Sequence, residues 1–277
     1  MITKITPRKG WQFITIDDIK ELAQYKDLLF MLVGREVSVL YKQTVLGFAW
    51  AIFRPLVQMV IFTVIFGKLV NMQAMIGTGV PYAVFSFTAL VPWTYFAVAL
   101  NSSTGSLVGN SQFITKVYFP RIIIPLTPII SKLLDFAIAF VILIIMLFAY
   151  GIVPNAQVVF LPILVLLMMM TAFGMSLWLS ALAIQYRDVQ QFMQFFAQLL
   201  MYAAPVIWPI TLIPQEYHFY LGFYPMAGVI EGFRACLIGQ TAMPWDMIGA
   251  GFVTATVLLL TGTLYFRSRE SVFADVV

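Results

Sequence analysis

The chain has 277 residues, 61% of them hydrophobic and only 10% charged, with a mean hydropathy of +0.93 and a formal net charge of +4. A soluble domain carries roughly 25% charged residues. Sixteen basic and 12 acidic side chains cannot wet the surface of a globule this long, and the same hydrophobicity excludes a disordered chain. The composition is that of a polytopic integral membrane protein.

The first apolar run starts after too many charges for a secretory signal, so insertion is expected to use the internal segments. Before that run, Asp27 to Lys42 places charged and apolar residues at helical spacing. Leu28, Leu29, Leu32 and Val39, with Phe30 and Met31 nearby, are expected to face lipid, and Lys26, Arg35, Glu36 and Lys42 water. That pattern predicts an amphipathic helix in the membrane interface, either a passive anchor or a gate beside the first span.

A helix crossing a hydrocarbon core of ~30 Å needs about 20 mostly apolar residues. Six segments qualify: Val45 to Phe66, Pro81 to Leu100, Ile130 to Tyr150, Val158 to Ile184, Phe192 to Ile213, and Met247 to Phe266. The runs are too long and too uniformly apolar for strands of an outer-membrane barrel. Met226 to Gln240 is shorter and holds Glu231 and Arg234, which predicts a re-entrant or interfacial helical hairpin on the outer side. Within it, the spacing of Gly228 and Gly232 permits close packing on another helix.

With six spans both termini share one side. That side collects 12 of the 16 basic residues, among them Lys116, Arg121, Arg187, Arg267 and Arg269. By the positive-inside bias it is cytoplasmic. The net positive charge is therefore a topology signal and not a nucleic-acid footprint.

Residues able to carry chemistry are scarce. Cys236 is the sole cysteine and His218 the sole histidine, and no HExxH or CxxC spacing occurs, so neither an internal disulfide nor a usual metal site is expected. Gly67 and Lys68 belong to no phosphate-binding loop, so the chain lacks a P-loop of its own. Asp135 is the only acid within the six cores and stands three residues from Lys132, as an i,i+3 pair whose lysine snorkels to the interface. Ion-driven carriers keep acids or histidines in their spans, so the energy source is expected on another chain. Arg54 lies within the first segment beside Pro55. Either it faces protein or water inside the membrane, or the interfacial helix runs on to Phe53 and Pro55 opens the true span.

Two cytoplasmic loops have the composition of docking surfaces or of ordinary connectors. Asn101 to Arg121 begins polar and small, then runs through Phe113, Ile114, Thr115, Lys116, Val117, Tyr118 and Phe119 to Pro120 and Arg121, the pattern of a short amphipathic helix with aromatic knobs. The second is a tight turn of Gln185, Tyr186, Arg187, Asp188 and Val189. Phe, Tyr and Trp together number 43, five of them in the eight positions Tyr217 to Tyr224. Flat apolar rings with polar edges suit either an interfacial belt or a path for sugar rings. Trp50, Tyr202, Trp208, Tyr220 and Tyr224 are the candidates for such a path.

The block Tyr41 to Pro55, YKQTVLGFAWAIFRP, its continuation LVQMVIFTVIFG, the Tyr186-Arg187-Asp188 turn and the closing FADVV resemble the polysaccharide-exporting ABC transporter permeases, which serve O-antigen, capsule and teichoic acid export. The resemblance spans essentially the whole chain. It implies an all-α membrane protein with a cytoplasmic N-terminus at 1–44 that includes the interfacial helix, a six-helix permease domain at 45–266 and a cytoplasmic tail at 267–277, set in a bacterial inner membrane. It also implies a homodimer bound to two copies of a separate ATPase, which holds the ATP and Mg²⁺, so that this chain carries no cofactor and catalyses nothing. The cargo would be a lipid-linked polysaccharide. Lys116, Val117, Tyr118, Phe119, Arg121, Tyr186, Arg187 and Asp188 fall where such proteins meet the ATPase, and Arg35, Tyr41, Lys42 and Arg54 at the entrance gate. Export of another hydrophobic substrate, such as a drug or lipid, is the alternative.

Overall fold

A computed structural model describes residues 24–42, 49–76, 79–111, 119–186 and 188–270. The described elements are all helical. They run α1 (Lys26–Lys42), α2 (Ala49–Phe62) with a π-helical extension (Thr63–Leu69), α3 (Met72–Ile76), α4 (Tyr82–Gly109), α5 (Ile123–Ser131), α6 (Leu133–Ala149), α7 (Leu161–Gln185), α8 (Val189–Ala203), α9 (His218–Gly222), α10 (Pro225–Leu237) and α11 (Trp245–Arg269).

Among the described residues, five stretches are long and apolar enough to cross a bilayer: Ile52–Leu69, Tyr82–Gly109, Ile123–Ala149, Ala156–Gln185 and Trp245–Arg269. The chain is thus a multi-pass membrane protein. The remaining expected span, Phe192 to Ile213, is occupied by α8, whose 15 residues end at Ala203. Pro205 and Pro209 follow, and proline can neither donate to nor continue a helix.

Helix α4 is the axis of the fold. Its most apolar window is 78% buried within the chain, against 17% for Ile52–Leu69, because α4 is apolar all round whereas its neighbours bury one face and turn the other outward. The polar stretch after Leu100 does not leave the helix as a loop. Thr104 Oγ1 donates to Leu100 O (2.8 Å), Ser106 Oγ to Ser103 O (2.7 Å) and Ser103 Oγ to Pro125 O (2.6 Å), so these hydroxyls bury inside α4 and tie it to α5. Tyr95 Oη reaches Ile129 O (2.8 Å) on the same partner.

Helices α7 and α11 approach closely at glycine. A Cβ on Gly262 would lie 2.5 Å from Gly174 O, and Trp178 stacks on Tyr265 beside them with ring centroids 4.3 Å apart. The expected hairpin segment forms α10, every residue of which is buried. Its glycine pair works as the spacing suggests: a Cβ on Gly228 would press on Met247 and one on Gly232 on Leu164.

Helix α1 corrects one expectation. Leu28, Leu29 and Leu32 do not face lipid but pack on a second core cluster with Leu107, Phe119, Ile123, Leu177, Ile184 and Phe266, while Phe30, Met31 and Val39 are exposed. Burying the leucines removes apolar surface from solvent and still leaves the helix one apolar outer edge.

The Gly174–Gly262 contact leaves no room for a side chain. Gly262→Val should destabilise the protein by about 1–3 kcal/mol. Gly249→Ala, on the same helix with open space around its Cβ position, should be neutral or slightly stabilising. Thermal denaturation of the purified variants measures both.

Candidate functional site

A groove of about 750 Å³ lies between α2, α4 and α8. From α2 come Trp50, Phe53, Arg54, Val57, Gln58 and Ile61, and from α4 Trp93, Thr94, Ala97, Val98 and Asn101. Helix α8 adds Gln194, Ala197, Gln198 and Met201. The spacings on all three helices are those of one face, which is why residues far apart in sequence form a continuous wall.

The lining is apolar with a sparse polar track of three glutamines, Thr94, Asn101 and one cation. It contains no carboxylate. Arg54 is exposed and stands over the Trp50 ring, its guanidinium carbon 5.9 Å from the centroid. Pro55 lies inside α2, and Arg54 lines the groove.

Buried polar atoms are nearly always hydrogen-bonded, and two on this wall are not. Thr94 Oγ1 and Asn101 Oδ1 are buried without a partner, although the Asn101 amide nitrogen donates to Ala97 O (2.8 Å). Gln58 finds only a soft acceptor, Met201 Sδ at 3.4 Å. Aromatic faces beside unpaired hydroxyl and amide groups can hold a hydroxylated chain by stacking and exchangeable hydrogen bonds. No cluster able to hold a metal ion occurs among the described residues.

Of the aromatic candidates, the groove gathers only Trp50. Tyr202, Trp208 and Tyr224 assemble instead around the end of α8, where Trp208 Nε1 donates to Tyr202 O (3.1 Å) and Tyr224 Oη to Leu200 O (3.3 Å). Tyr220 is exposed beside Phe219. Sequence reasoning missed Trp93, Thr94, Asn101, Gln58, Gln194 and Gln198. The available signal was a polar residue recurring at i,i+4 or i,i+7 within apolar segments.

At the other end of the molecule, Arg35 Nη2 donates to Asn110 Oδ1 (2.7 Å), joining α1 to the last turn of α4. Lys132 is buried and reaches Glu36 Oε1 at 3.9 Å, a link between α1 and α6 that its spacing to Asp135 gives no hint of. Burial pushes the Glu36 carboxyl above its ordinary range, opposed by the Lys132 charge. The side chains of Tyr41 and Lys42 lie outside the described residues, as do Lys116, Val117, Tyr118 and Arg187. Phe119 is buried, Arg121 Nη1 donates to Glu270 O, and Tyr186 and Asp188 are exposed at the start of α8.

The groove thus offers stacking and hydrogen-bonding groups among helices long and apolar enough to cross a bilayer. Residues 27–238 match the family model described as ABC-2 type transporter. The chain belongs to that family. It is 28% identical over 252 residues to the O-antigen export system permease protein RfbA of Klebsiella pneumoniae, covering 90% of this chain and 95% of that protein. The RfbA protein of Myxococcus xanthus is 26% identical over 260 residues, covering 93% and 98%. The polysialic acid transport protein KpsM of Escherichia coli is 22% identical over 241 residues, covering 85% and 91%.

The unpaired Thr94 hydroxyl costs the fold about 1–3 kcal/mol if nothing in the protein satisfies it. Thr94→Val, nearly equal in volume, should therefore raise the denaturation midpoint in detergent. A lowered midpoint would show that the hydroxyl has a structural partner.

Proposed function

We propose that this chain is the membrane subunit of an ATP-driven exporter that moves a lipid-linked polysaccharide across a bacterial cytoplasmic membrane. The observation that carries the proposal is the α2–α4–α8 groove, whose two tryptophans, three glutamines and unpaired Thr94 and Asn101 suit sugar rings and hydroxyls. Its relatives' names, O-antigen export and polysialic acid transport, point to the same class of cargo. Many weak stacking contacts suit a polymer that must slide, because no single one holds it long.

In this reading two copies of the chain face each other, each contributing one groove wall, and two copies of a separate ATPase bind from the cytoplasm with ATP and Mg²⁺. Helix α8 and the turns after it complete a sixth crossing. Helices α9 and α10 form a re-entrant hairpin on the outer side, and α1 lies in the cytoplasmic interface as the entrance gate, with both termini cytoplasmic. Arg54, at the α2 wall of the groove, meets the anionic part of the lipid carrier. The Tyr186–Asp188 turn and the segment ending at Arg121 dock the ATPase.

Co-expression with a P-loop ATPase encoded beside this chain should yield a complex that hydrolyses ATP, and loss of this chain should abolish surface polysaccharide. Arg187→Glu should weaken ATPase association about tenfold, equal to about 1.4 kcal/mol, with membrane insertion intact. Gln194→Leu combined with Gln198→Leu should impair polysaccharide export while leaving the ATPase bound. Unchanged export would remove the groove from the path.

A further inference from the structure

Helix α8 is held very unevenly. Along its length it buries only Met193, Ala197 and Met201. The turn that leads into it is exposed at Tyr186 and Asp188, and its first residues, Val189 and Gln190, are half-buried. Beyond Ala203, by contrast, the chain runs through Ala204, Pro205, Val206 and Ile207, all buried.

Leu200 O takes a cap bond from Ala204 N at 3.1 Å. Side chains of distant elements add bonds there and to the chain just beyond the helix. Tyr224 Oη reaches Leu200 O at 3.3 Å, Arg234 Nη2 reaches Val206 O at 3.1 Å and Tyr82 Oη reaches Ile207 O at 2.8 Å. Arg234 is only 4% exposed and is itself held by two further contacts, while its Nε has no hydrogen-bond partner. Its Nη1 donates to Glu231 Oε1 at 2.6 Å, its guanidinium lies 3.5 Å from the centroid of the Phe85 ring, and Glu231 shares its helix. Tyr82 and Phe85 open α4, the most buried of the candidate spans, and Arg234 sits on the wholly buried α10. The chain at and just beyond the Ala203 end of α8 is thus bonded to two deeply buried helices.

A buried, charge-paired arginine is costly to assemble and specifies one geometry when complete. Nothing in the groove chemistry uses it, since Tyr82, Glu231 and Arg234 are absent from the groove lining. We infer that Arg234 and Tyr82 are positioning residues that pin the Ala203 end of α8, making it the pivot about which the rest of the helix tilts. Gln194 and Gln198 lie between the pivot and the exposed Asp188 end, so a push at Tyr186–Asp188 displaces the groove wall most at that end and least at Met201. That such a push comes from an ATPase rests on the proposed function. The pin itself does not.

The test uses the full chain in lipid nanodiscs, with Cys236 replaced by alanine and spin-label pairs at exposed positions. Positions 202 and 220 report the pinned end, and 108 and 188 the other. The 202–220 distance distribution should be narrow in the chain alone, and Tyr82→Phe or Arg234→Gln should abolish that narrowness. Tyr82→Phe removes one hydrogen bond at nearly equal volume, so the test stands if the arginine variant does not fold. In the complex with ATPase, ATP should shift the 108–188 distance and leave 202–220 in place. An unchanged 202–220 distribution in Tyr82→Phe and in every folded arginine variant, or equal shifts of both pairs with ATP, would overturn the pivot. Loss of the narrow distribution in a chain that binds no ATPase would uphold the pin and overturn the proposed function instead.

Discussion

In a bilayer no water waits to accept a stray N–H or to satisfy a bare carbonyl, so each break in a helix must be sealed from within the protein. Prolines stand inside α5, at Pro125 and Pro128, and beyond α8, at Pro205 and Pro209, and withhold backbone donors there. Several polar side chains donate to carbonyls near them. Ser103 seals Pro125 O and Tyr95 seals Ile129 O at the α5–α6 bend. Tyr82, Arg234, Trp208 and Tyr224 do the same around the end of α8. Most are single hydrogen bonds from neutral hydroxyls or an indole, which cost little to bury once made. The one charged donor, Arg234, brings Glu231 with it.

Against that background an unsealed polar atom carries information. Thr94 Oγ1 and Asn101 Oδ1 lie on the same central helix as Tyr82 and Tyr95, within reach of the same supply of carbonyls and hydroxyls, and yet face a groove without partners. Of the five buried side-chain atoms without a partner among the described residues, Gln157 Oε1, Gln185 Nε2 and Arg234 Nε lie away from the groove, and these two stand where an arriving hydroxylated ligand can complete them. Their placement beside Trp50 and Trp93 joins a polar requirement to an apolar one, and sugars meet both with one ring.

Apolar length and charge asymmetry made much of this legible in the sequence. Spans two, three, four and six fall within several residues of the predicted segments, because a run of about 20 apolar residues has few other fates. Helix α10 was also foreseeable, since fifteen apolar residues carrying Glu231 and Arg234 are too short and too charged to cross. The failures share a cause. Asn101 to Gly109 looked like a loop because hydroxyl side chains favour turns in water, whereas buried in α4 they bond back to their own helix. The leucines of α1 looked lipid-facing because a sequence cannot say whether an apolar stripe meets lipid or protein. The groove was hidden for a third reason: its polar residues come two from each of three helices, and no local spacing announces that α2, α4 and α8 converge.

The distribution of the sealing bonds bears on how a membrane helix can move. Tilting a helix whose ends were equally bonded would break hydrogen bonds that neither lipid nor water can replace. Helix α8 lowers that cost: its cited bonds to other elements gather from Leu200 onward, and the turn leading into it is exposed at Tyr186 and Asp188. Rotation about the bonded end disturbs those contacts less than sliding or lifting the helix. The same chemistry that makes proline breaks tolerable in a bilayer therefore selects, among the motions open to α8, the one that changes the groove wall along Gln194 and Gln198 and leaves the far end intact.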